Sequence, residues 1–251
     1  MIIAECLLIK NENQYLSEHL QTNARAGIDF FYIYDNCSTE PVNKFLQRCL
    51  PGFVQRCKVE TISVGANLQL YCYKKFLHDH GAEVDYVFFI DTDEVLDGNI
   101  KAAAARYNTA GALIFAPVLH GCNGHINDNG GGMVARFRAD VVRQRDSWTK
   151  CLVKPGAVIR QDVHTTQLRP GFVPQYLSAV SYPDAVLHHY RFRSLEEYIK
   201  KILRGSCDAR ALFNLKSFFD DNKTIAPDSP AVQNLLKKYG VTLQTTQSKP
   251  Q

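Results

Sequence analysis

The first 118 residues alternate between two hydrophobic periods. Near-continuous apolar runs predict strands that are buried on both faces, at residues 2–9, 30–34, 57–62, 86–90 and 112–118. Between these runs, apolar residues recur at helical spacing, in residues 14–26, 41–50, 66–80 and 99–108. Strands that alternate with helices are typical of a mostly parallel sheet with helices on its faces. We therefore predict an α/β fold.

The pattern changes after residue 118. Residues 119–132 hold five glycines, which predicts a long flexible loop or lid. Short strands are expected next, at 133–138 and 151–154, and a capping box of Ser194 and Glu197 begins a helix. Further helices are predicted at 208–219 and 230–239. We predict one domain, residues 1–240, whose halves are 1–118 and 119–240, followed by a flexible tail, 241–251.

Composition and charge narrow the class of protein. A chain that is 45% hydrophobic and 22% charged is not disordered, collagen-like or a coiled coil. Residues 1–135 carry 10 Lys and Arg against 15 Asp and Glu, whereas residues 136–251 carry 19 against 10. This asymmetry suggests that one half holds a cation and the other meets phosphates or an anionic surface.

The cysteines and the first residues bear on location. The eight cysteines include no CxxC pair, and Met1 leads directly into an apolar stretch without a basic leader. No apolar run approaches the roughly 18 residues that a membrane span needs. We therefore expect a cytoplasmic protein with reduced thiols, and a peripheral position at the inner face of a membrane is a further expectation.

Polar residues follow three of the predicted strands. The first strand ends in Lys10-Asn11-Glu12, the second in Asp35-Asn36 and the strongest in Asp91-Thr92-Asp93-Glu94. Ligands of open parallel sheets bind at the carboxyl ends of the strands, so these groups are expected to line one crevice. Asp91 and Asp93 would repel each other there without a cation. Their hard oxygens suit Mg²⁺ or Mn²⁺ with a diphosphate, although an acidic turn that caps a helix is the alternative.

Basic residues and histidines later in the chain extend this interpretation. His164 can complete a Mn²⁺ shell, or it is a surface or core histidine. His189, Arg191 and Lys201 belong to a cluster that can hold diphosphate oxygens, or that forms a solvated helix face.

Several segments together resemble a known family. The chain is similar to glycosyltransferases of the GT-A fold, in particular to glycosyltransferase family 92 and related bacterial family 2-like proteins. The resemblance is carried by LLIKNENQYLSEHL (7–20), GIDFFYIYDNCS (27–38), Asn67 with Gln69, YVFFIDTDEVL (86–96), GCNGH (121–125), ARF (135–137), KCLVKP (150–155), His164 and LHHYRFRSLEEYIKKILRG (187–205).

The resemblance implies a metal-dependent transfer of a sugar from a nucleotide diphosphate, a UDP-hexose and perhaps UDP-galactose, to a glycan or lipid-linked acceptor in cell-surface polysaccharide synthesis. Residues 1–118 would then bind nucleotide and metal, and residues 119–240 the acceptor. Asp93 would be the principal ligand of Mn²⁺ or Mg²⁺, with Asp91 on ribose or metal and His164 completing the shell. The donor would be bound by Lys10, Asn11, Glu12, Asp35, Asn36, Gln69, Asp91, His189, Arg191 and Lys201, and the acceptor by Asn123, His125 and Trp148.

The sequence leaves the identity of the catalytic base open, and it leaves two alternatives to the glycosyltransferase function. Many inverting family 2 enzymes carry a Glu-Asp pair that supplies the base, and none lies between Thr109 and His164. We favour Asp146, then Asp128, and leave the stereochemistry open. One alternative is a haloacid dehalogenase-like phosphatase with Asp91 as nucleophile and Asp93 beside it. Another is an inactive nucleotide-sugar-binding protein. No nucleic-acid partner is expected, because the chain has no recognisable nucleic-acid motif.

Overall fold

The computed structural model describes residues 1–63, 67–144, 148–205 and 214–244. Its strands are β1 (Ile3–Ile9), β2 (Phe30–Asp35), β3 (Cys57–Thr61), β4 (Tyr86–Phe89), β5 (Glu94–Gly98), β6 (Ala112–Phe115), β7 (Val118–His120), β8 (Val141–Gln144), β9 (Lys150–Val153), β10 (Val158–Gln161), β11 (Thr166–Leu168), β12 (Pro174–Leu177) and β13 (Ala185–His189). Its α-helices are α1 (Asn13–Arg25), α2 (Val42–Cys49), α3 (Leu68–Asp79), α4 (Ile100–Arg106), α5 (Met133–Phe137), α6 (Leu195–Arg204), α7 (Leu215–Asp221) and α8 (Pro230–Tyr239).

The chain divides into two units. The first comprises residues 1–65, 69–118 and 144–189, and the second comprises residues 66–68, 119–143 and 190–251. Residues 144–189 thus belong to the first unit, although they fall in the predicted second half. The prediction of a single domain over residues 1–240 stays a prediction.

The first unit is built on a central sheet. Among the described residues this sheet has seven strands in the order β12-β6-β9-β4-β1-β2-β3. All of them run parallel except β9, which is antiparallel to both of its neighbours, β4 and β6. The predicted α/β fold with a mostly parallel sheet is confirmed.

The middle strands of this sheet are buried along their whole length. Every residue of β1 and of β4 is buried, which explains why both read as continuous apolar runs. The charged residue of β1 is Glu5, whose carboxylate has no exposed surface. Its hydrogen-bond partners, His19 and Asn23, lie on helix α1. A charge at such a position must be paired, because burying it alone is costly.

A second pairing in the first unit follows directly after the acidic turn. Strand β5 pairs antiparallel with β13, and the register sets Glu94 opposite His189 and Leu96 opposite Leu187. The sequence analysis missed both strands. Only five residues form β5 (EVLDG), and Asp and Gly are poor strand formers, so the pairing partner rather than local propensity makes it a strand.

The second unit contains α5, α6, α7 and α8. The capping box is confirmed, since the Ser194 side chain accepts from the backbone of Glu197 and the Glu197 side chain accepts from the backbone of Ser194. The predicted strand at 133–138 is wrong. Met133 and Phe137 are both buried one helical turn apart, which is the period of helix α5. Of the helix predicted at 208–219, residues 208–213 lie outside the described residues.

Two further properties concern the described residues alone. No helix among them has both the length and the apolar character that crossing a membrane requires. Their cysteines, at positions 6, 37, 49, 57, 72, 122 and 151, are free thiols.

Candidate active site

Three strand ends meet at one edge of the central sheet. Strands β4, β1 and β2 are parallel neighbours, so their carboxyl ends lie side by side, as the sequence predicts. The loop after β1 is bound to the turn after β2. The backbone N–H of Asn11 donates to Ser38 Oγ at 2.9 Å, and Asn11 Oδ1 accepts from the Thr39 N–H at 2.7 Å.

Asp35 organises the turn after β2. Its Oδ1 accepts from the Ser38 N–H at 2.9 Å, and its Oδ2 accepts from the Val42 N–H at 3.1 Å, at the start of α2. The residue is only 1% exposed. One oxygen therefore closes the turn after β2, and the other satisfies a backbone N–H that the start of α2 would otherwise leave without an acceptor.

The other predicted donor-binding residues of these loops differ in exposure. Lys10 is exposed and Glu12 is buried. The backbone N–H of Asn36 donates to the Ile9 carbonyl. Roles of Lys10, Asn11, Glu12, Asp35 and Asn36 in nucleotide binding stay predictions.

Asp91 begins the acidic turn after β4 and is bound by two side chains. Gln69 Nε2 donates to its Oδ1 at 2.6 Å, and Lys150 Nζ donates to its Oδ2 at 2.6 Å. Gln69 also donates to the hydroxyl of Tyr73 at 2.8 Å. The structure thus brings together Gln69 and Asp91, which the sequence assigned to the same ligand.

Asp93 lies beside His189. Asp93 is 4% exposed, and its Oδ1 is 3.6 Å from His189 Nε2. The other ring nitrogen of His189 is 3.5 Å from Glu94 Oε1. The β5–β13 pairing produces this contact, because it sets His189 directly opposite the first residue of β5.

Glu94 and Lys150 are fully buried at the centre of the turn. Glu94 Oε2 accepts from the Asp91 N–H at 3.0 Å and lies 3.3 Å from Lys150 Nζ. Burial raises the pKa of Glu94 to about 8, an effect that Lys150 opposes and that the charges of Asp91 and Asp93 reinforce. Burial by itself lowers the pKa of Lys150, but the charges of Asp91 and Glu94 outweigh it and hold that pKa above its usual value.

A second buried network supports the turn from the side of helix α1. His19 Nε2 donates to Glu5 Oε1 at 2.5 Å, and Asn23 Nδ2 donates to Glu5 Oε2 at 2.7 Å. Burial lowers the pKa of His19, whereas Glu5, Asp93 and the Thr92 backbone together raise it, and the net shift is upward. Asn23 Oδ1 accepts from the Leu96 N–H of β5 at 2.9 Å, which connects helix α1 to the strand after the turn.

The donor atoms of the turn fit a divalent cation that is shared with a substrate. Among the described residues, no three His, Cys, Asp or Glu side chains form a group that could hold a metal ion. A hard cation needs fewer, since Mg²⁺ is usually held by one or two carboxylates together with phosphate oxygens and water. The carboxylate of Asp93 and the imidazole of His189, 3.6 Å apart, are donors of the kind that such a cation uses. Both oxygens of Asp91 accept from Gln69 and Lys150.

Two more predicted residues lie in the first unit. The ring of Trp148, predicted to bind the acceptor, is edge-on to the ring of His189 with centroids 6.2 Å apart. His164 Nδ1 is 3.2 Å from the Thr149 carbonyl oxygen, and the His164 carbonyl accepts from Thr149 Oγ1 at 2.6 Å. The assignment of His164 as a metal ligand stays a prediction.

The remaining predicted residues other than Asp146 lie in the second unit. Asp128 accepts from Lys200 Nζ at 2.9 Å, and its backbone N–H donates to Glu196. The backbone N–H of Asn123 donates to Asp140 at 2.6 Å.

The ring of His125 is edge-on to that of Phe137, and the guanidinium of Arg191 is 5.8 Å from the ring centroid of Phe192. Lys201 lies in the last turn of α6. Asp146, the favoured base, lies outside the described residues. The roles of all these residues stay predictions.

The sequence analysis missed Glu5, His19 and Lys150 and gave Glu94 no role. One signal was present, since Glu5 is the single charge in the run IIAECLLI and a buried strand rarely carries an unpaired charge. Lys150 has no comparable local signal, because its partners are more than 50 residues away along the chain.

Comparison with known proteins gives one match of sequence. Residues 6–217 match the sequence model of glycosyltransferase family 92, so the predicted resemblance to that family is confirmed. No curated protein matches the chain.

Several solved structures are similar at low identity. S. aureus TarS 1-349 is 21% identical with a TM-score of 0.38, over 47% of this chain and 36% of that one. Mannosyltransferase PcManGT from Pyrobaculum calidifontis, in complex with GDP-Man and Mn²⁺, is 14% identical with a TM-score of 0.38, over 46% and 35%. HddC from Yersinia pseudotuberculosis is 10% identical with a TM-score of 0.48, over 80% and 97%. The match thus spans about a third of the TarS chain, and at TM-scores below 0.5 these likenesses carry no argument about function.

Proposed function

Because the chain belongs to glycosyltransferase family 92, we propose that it transfers a sugar from a nucleotide-diphosphate donor to a hydroxyl group of an acceptor. One observation carries the proposal beyond family membership. Asp93 and His189 are paired at 3.6 Å in the turn after β4, at the edge of the sheet where α/β proteins bind ligands. The match over residues 6–217 favours this function over the phosphatase alternative.

Asp93 and His189 are the residues that would hold Mn²⁺ or Mg²⁺. When bound, such an ion neutralises the charge that develops on the departing diphosphate. Two protein ligands leave coordination positions for phosphate oxygens and water, which is the usual arrangement for hard cations with phosphate substrates. His164 is the further ligand that the sequence predicts, and the contact with Asp93 supports His189 ahead of it.

Other side chains of the first unit would position the donor and exclude water. Gln69 and Lys150 fix both oxygens of Asp91, so that its partly exposed carboxylate keeps one orientation toward a ribose hydroxyl. Trp148 adds an apolar surface beside His189, which limits the access of water, a competing acceptor. An acidic side chain would take the proton of the attacking hydroxyl. The candidates for that base are Asp146 and Asp128.

The substrates follow from the resemblance of the sequence segments. We propose a UDP-hexose as donor, with UDP-galactose as the first candidate, and a glycan or lipid-linked acceptor of cell-surface polysaccharide synthesis. We also propose that the protein works in the cytoplasm, at the inner face of a membrane.

A donor screen tests the proposed function. Purified protein is incubated with UDP- and GDP-hexoses, with Mn²⁺ or with EDTA, and release of the nucleoside diphosphate is measured. We expect one donor to be consumed in Mn²⁺ and spared in EDTA. Asp93→Asn should lower that rate by on the order of 100-fold or more, because it removes the charge that binds the metal. Asp97→Asn is the matched control, since Asp97 is exposed four residues further on in β5.

The same screen separates the alternatives. An inactive nucleotide-sugar-binding protein would raise its melting temperature in UDP and Mn²⁺ and yet consume no donor. A phosphatase would release inorganic phosphate from phosphate monoesters. Turnover of Asp93→Asn equal to that of Asp97→Asn would contradict the assignment of Asp93.

A further inference from the structure

Lys150 is a buried cation inside a group of carboxylates. It is the first residue of β9, the one antiparallel strand of the central sheet, and its side chain has no exposed surface. Its ammonium is 2.6 Å from Asp91 Oδ2 and 3.3 Å from Glu94 Oε2. Asp91 and Glu94 are also joined to each other, because the Asp91 N–H donates to Glu94 Oε2 at 3.0 Å.

The charges around the turn make this ammonium necessary. Asp91, Asp93 and Glu94 are three carboxylic acids within four residues, and two of them are buried. Carboxylates that are this close repel one another unless a cation or a proton lies between them. Lys150 supplies a fixed positive charge on one side of the turn, within 3.3 Å of both Asp91 and Glu94.

We propose that Lys150 takes the place of a second divalent ion: it occupies the cation position between Asp91 and Glu94 and leaves Asp93 with His189 as the single metal-binding position of the turn. Lys150 is thus a positioning residue that acts through Asp91 and Glu94. The inference rests on the proposed function for the metal at Asp93, but it makes a separate claim about the opposite side of the turn.

The geometry distinguishes this role from that of an ordinary ion pair. A surface pair such as Lys58–Glu83 has side chains that are 55% and 44% exposed, so water solvates each charge when the pair breaks. The side chains of Lys150 and Glu94 have no exposed surface, so water cannot solvate either charge when this pair breaks. If the ammonium is removed, the carboxylates must bind a proton or another cation, and Mn²⁺ suits two carboxylates that face the same position.

Mn²⁺ binding to three variants tests the inference. Bound and free Mn²⁺ are measured by electron paramagnetic resonance for the wild-type chain, Lys150→Met and Lys154→Met. Lys154 is the matched control, because it follows the same strand and its Nζ donates to the backbone carbonyl of Asn108 rather than to a carboxylate. We expect the wild-type chain and Lys154→Met to bind one ion with equal affinity. Lys150→Met should bind a second ion, or bind its first about tenfold more tightly, because a positive charge beside the carboxylates is removed.

Each outcome decides the question. Lys150→Met that binds Mn²⁺ with the stoichiometry and affinity of Lys154→Met overturns the inference. If Lys150→Met is unfolded in EDTA, Mn²⁺ should restore a cooperative unfolding transition, and an unfolded variant that Mn²⁺ does not rescue also overturns it. A wild-type chain that binds no Mn²⁺ contradicts the metal site of the proposed function instead. The Lys150 inference then stands if Lys150→Met gains one ion and falls if it gains none.

Discussion

Two turns at the same edge of the sheet carry aspartates that look alike in the sequence and differ in the structure. The turn after β2 holds Asp35, whose two oxygens accept from the backbone N–H groups of Ser38 and Val42. The turn after β4 holds Asp91, Asp93 and Glu94, whose neighbours include two charged or titratable side chains, Lys150 and His189.

The difference lies in what balances each negative charge. Backbone N–H groups are neutral dipoles that are fixed by the fold, so Asp35 completes the turn and the start of α2. The carboxylates of the second turn lie instead against side chains that can carry a positive charge, Lys150 and His189. We therefore expect the metal site at the second turn and not at Asp35.

The largest expected effect separates the buried cation from a surface one. Lys150→Met should lower the free energy of unfolding in EDTA by about 3–5 kcal/mol, because it takes a buried ammonium away from Asp91 and Glu94. Lys58→Met breaks the exposed pair with Glu83 and should cost about 1 kcal/mol or less. Urea unfolding followed by circular dichroism measures both. Equal losses in the two variants would contradict the contrast.

A smaller effect separates the two turns. Asp35→Ala should lower the free energy of unfolding by about 1–2 kcal/mol, since two backbone N–H groups lose their acceptor, and it should leave the Mn²⁺ affinity unchanged. Asp93→Asn should do the reverse, with weakened Mn²⁺ binding and little loss of stability. Urea unfolding and Mn²⁺ titration of both variants check this. If Asp35→Ala also lost Mn²⁺ binding, the contrast would be wrong, and both turns would belong to one ligand-binding site.

A separate comparison within the second turn concerns the pH dependence of stability. The pKa of Glu94 is raised from 4.5 to about 8 in the folded chain. Between these values the folded state holds a proton that the unfolded state has lost, so the free energy of unfolding falls as the pH rises. The contribution is fully present below about pH 4.5 and is lost as the pH rises through about 8.

Glu94→Gln removes this titration. Urea unfolding in EDTA at about pH 5 and about pH 9 should show a smaller fall in stability for Glu94→Gln than for the wild-type chain. Parallel curves for the two proteins would mean that folding does not change the ionisation of Glu94.

The sequence predicts the strands that end at the site better than the side-chain contacts within it. Continuous apolar runs are a local signal, and they correctly predicted β1, β2 and β4 and the edge where those strands end. Strands β5 and β13 carry little local signal, because their register arises from pairing across about 90 residues of chain. The contact between His189 and Asp93 depends on that pairing, and so it could not be predicted.

Lys150 illustrates the same limit. Lys150 is part of the segment KCLVKP that resembles the family. However, no local pattern indicates that β9 runs antiparallel between β4 and β6, or that its first side chain contacts Asp91. His19 likewise reads as one polar position of an amphipathic helix. Its partner Glu5 lies in the neighbouring strand, and only the packing of α1 on β1 brings the two together.

The most direct measurement is anomalous diffraction from crystals grown with Mn²⁺ and UDP. The account predicts one manganese peak, with bonds to a carboxylate oxygen of Asp93 and to His189 Nε2, with diphosphate oxygens on its open side and with Lys150 still bound to Asp91. A map with no manganese at Asp93, or with the ion between Asp91 and Glu94 in place of the Lys150 ammonium, would contradict it.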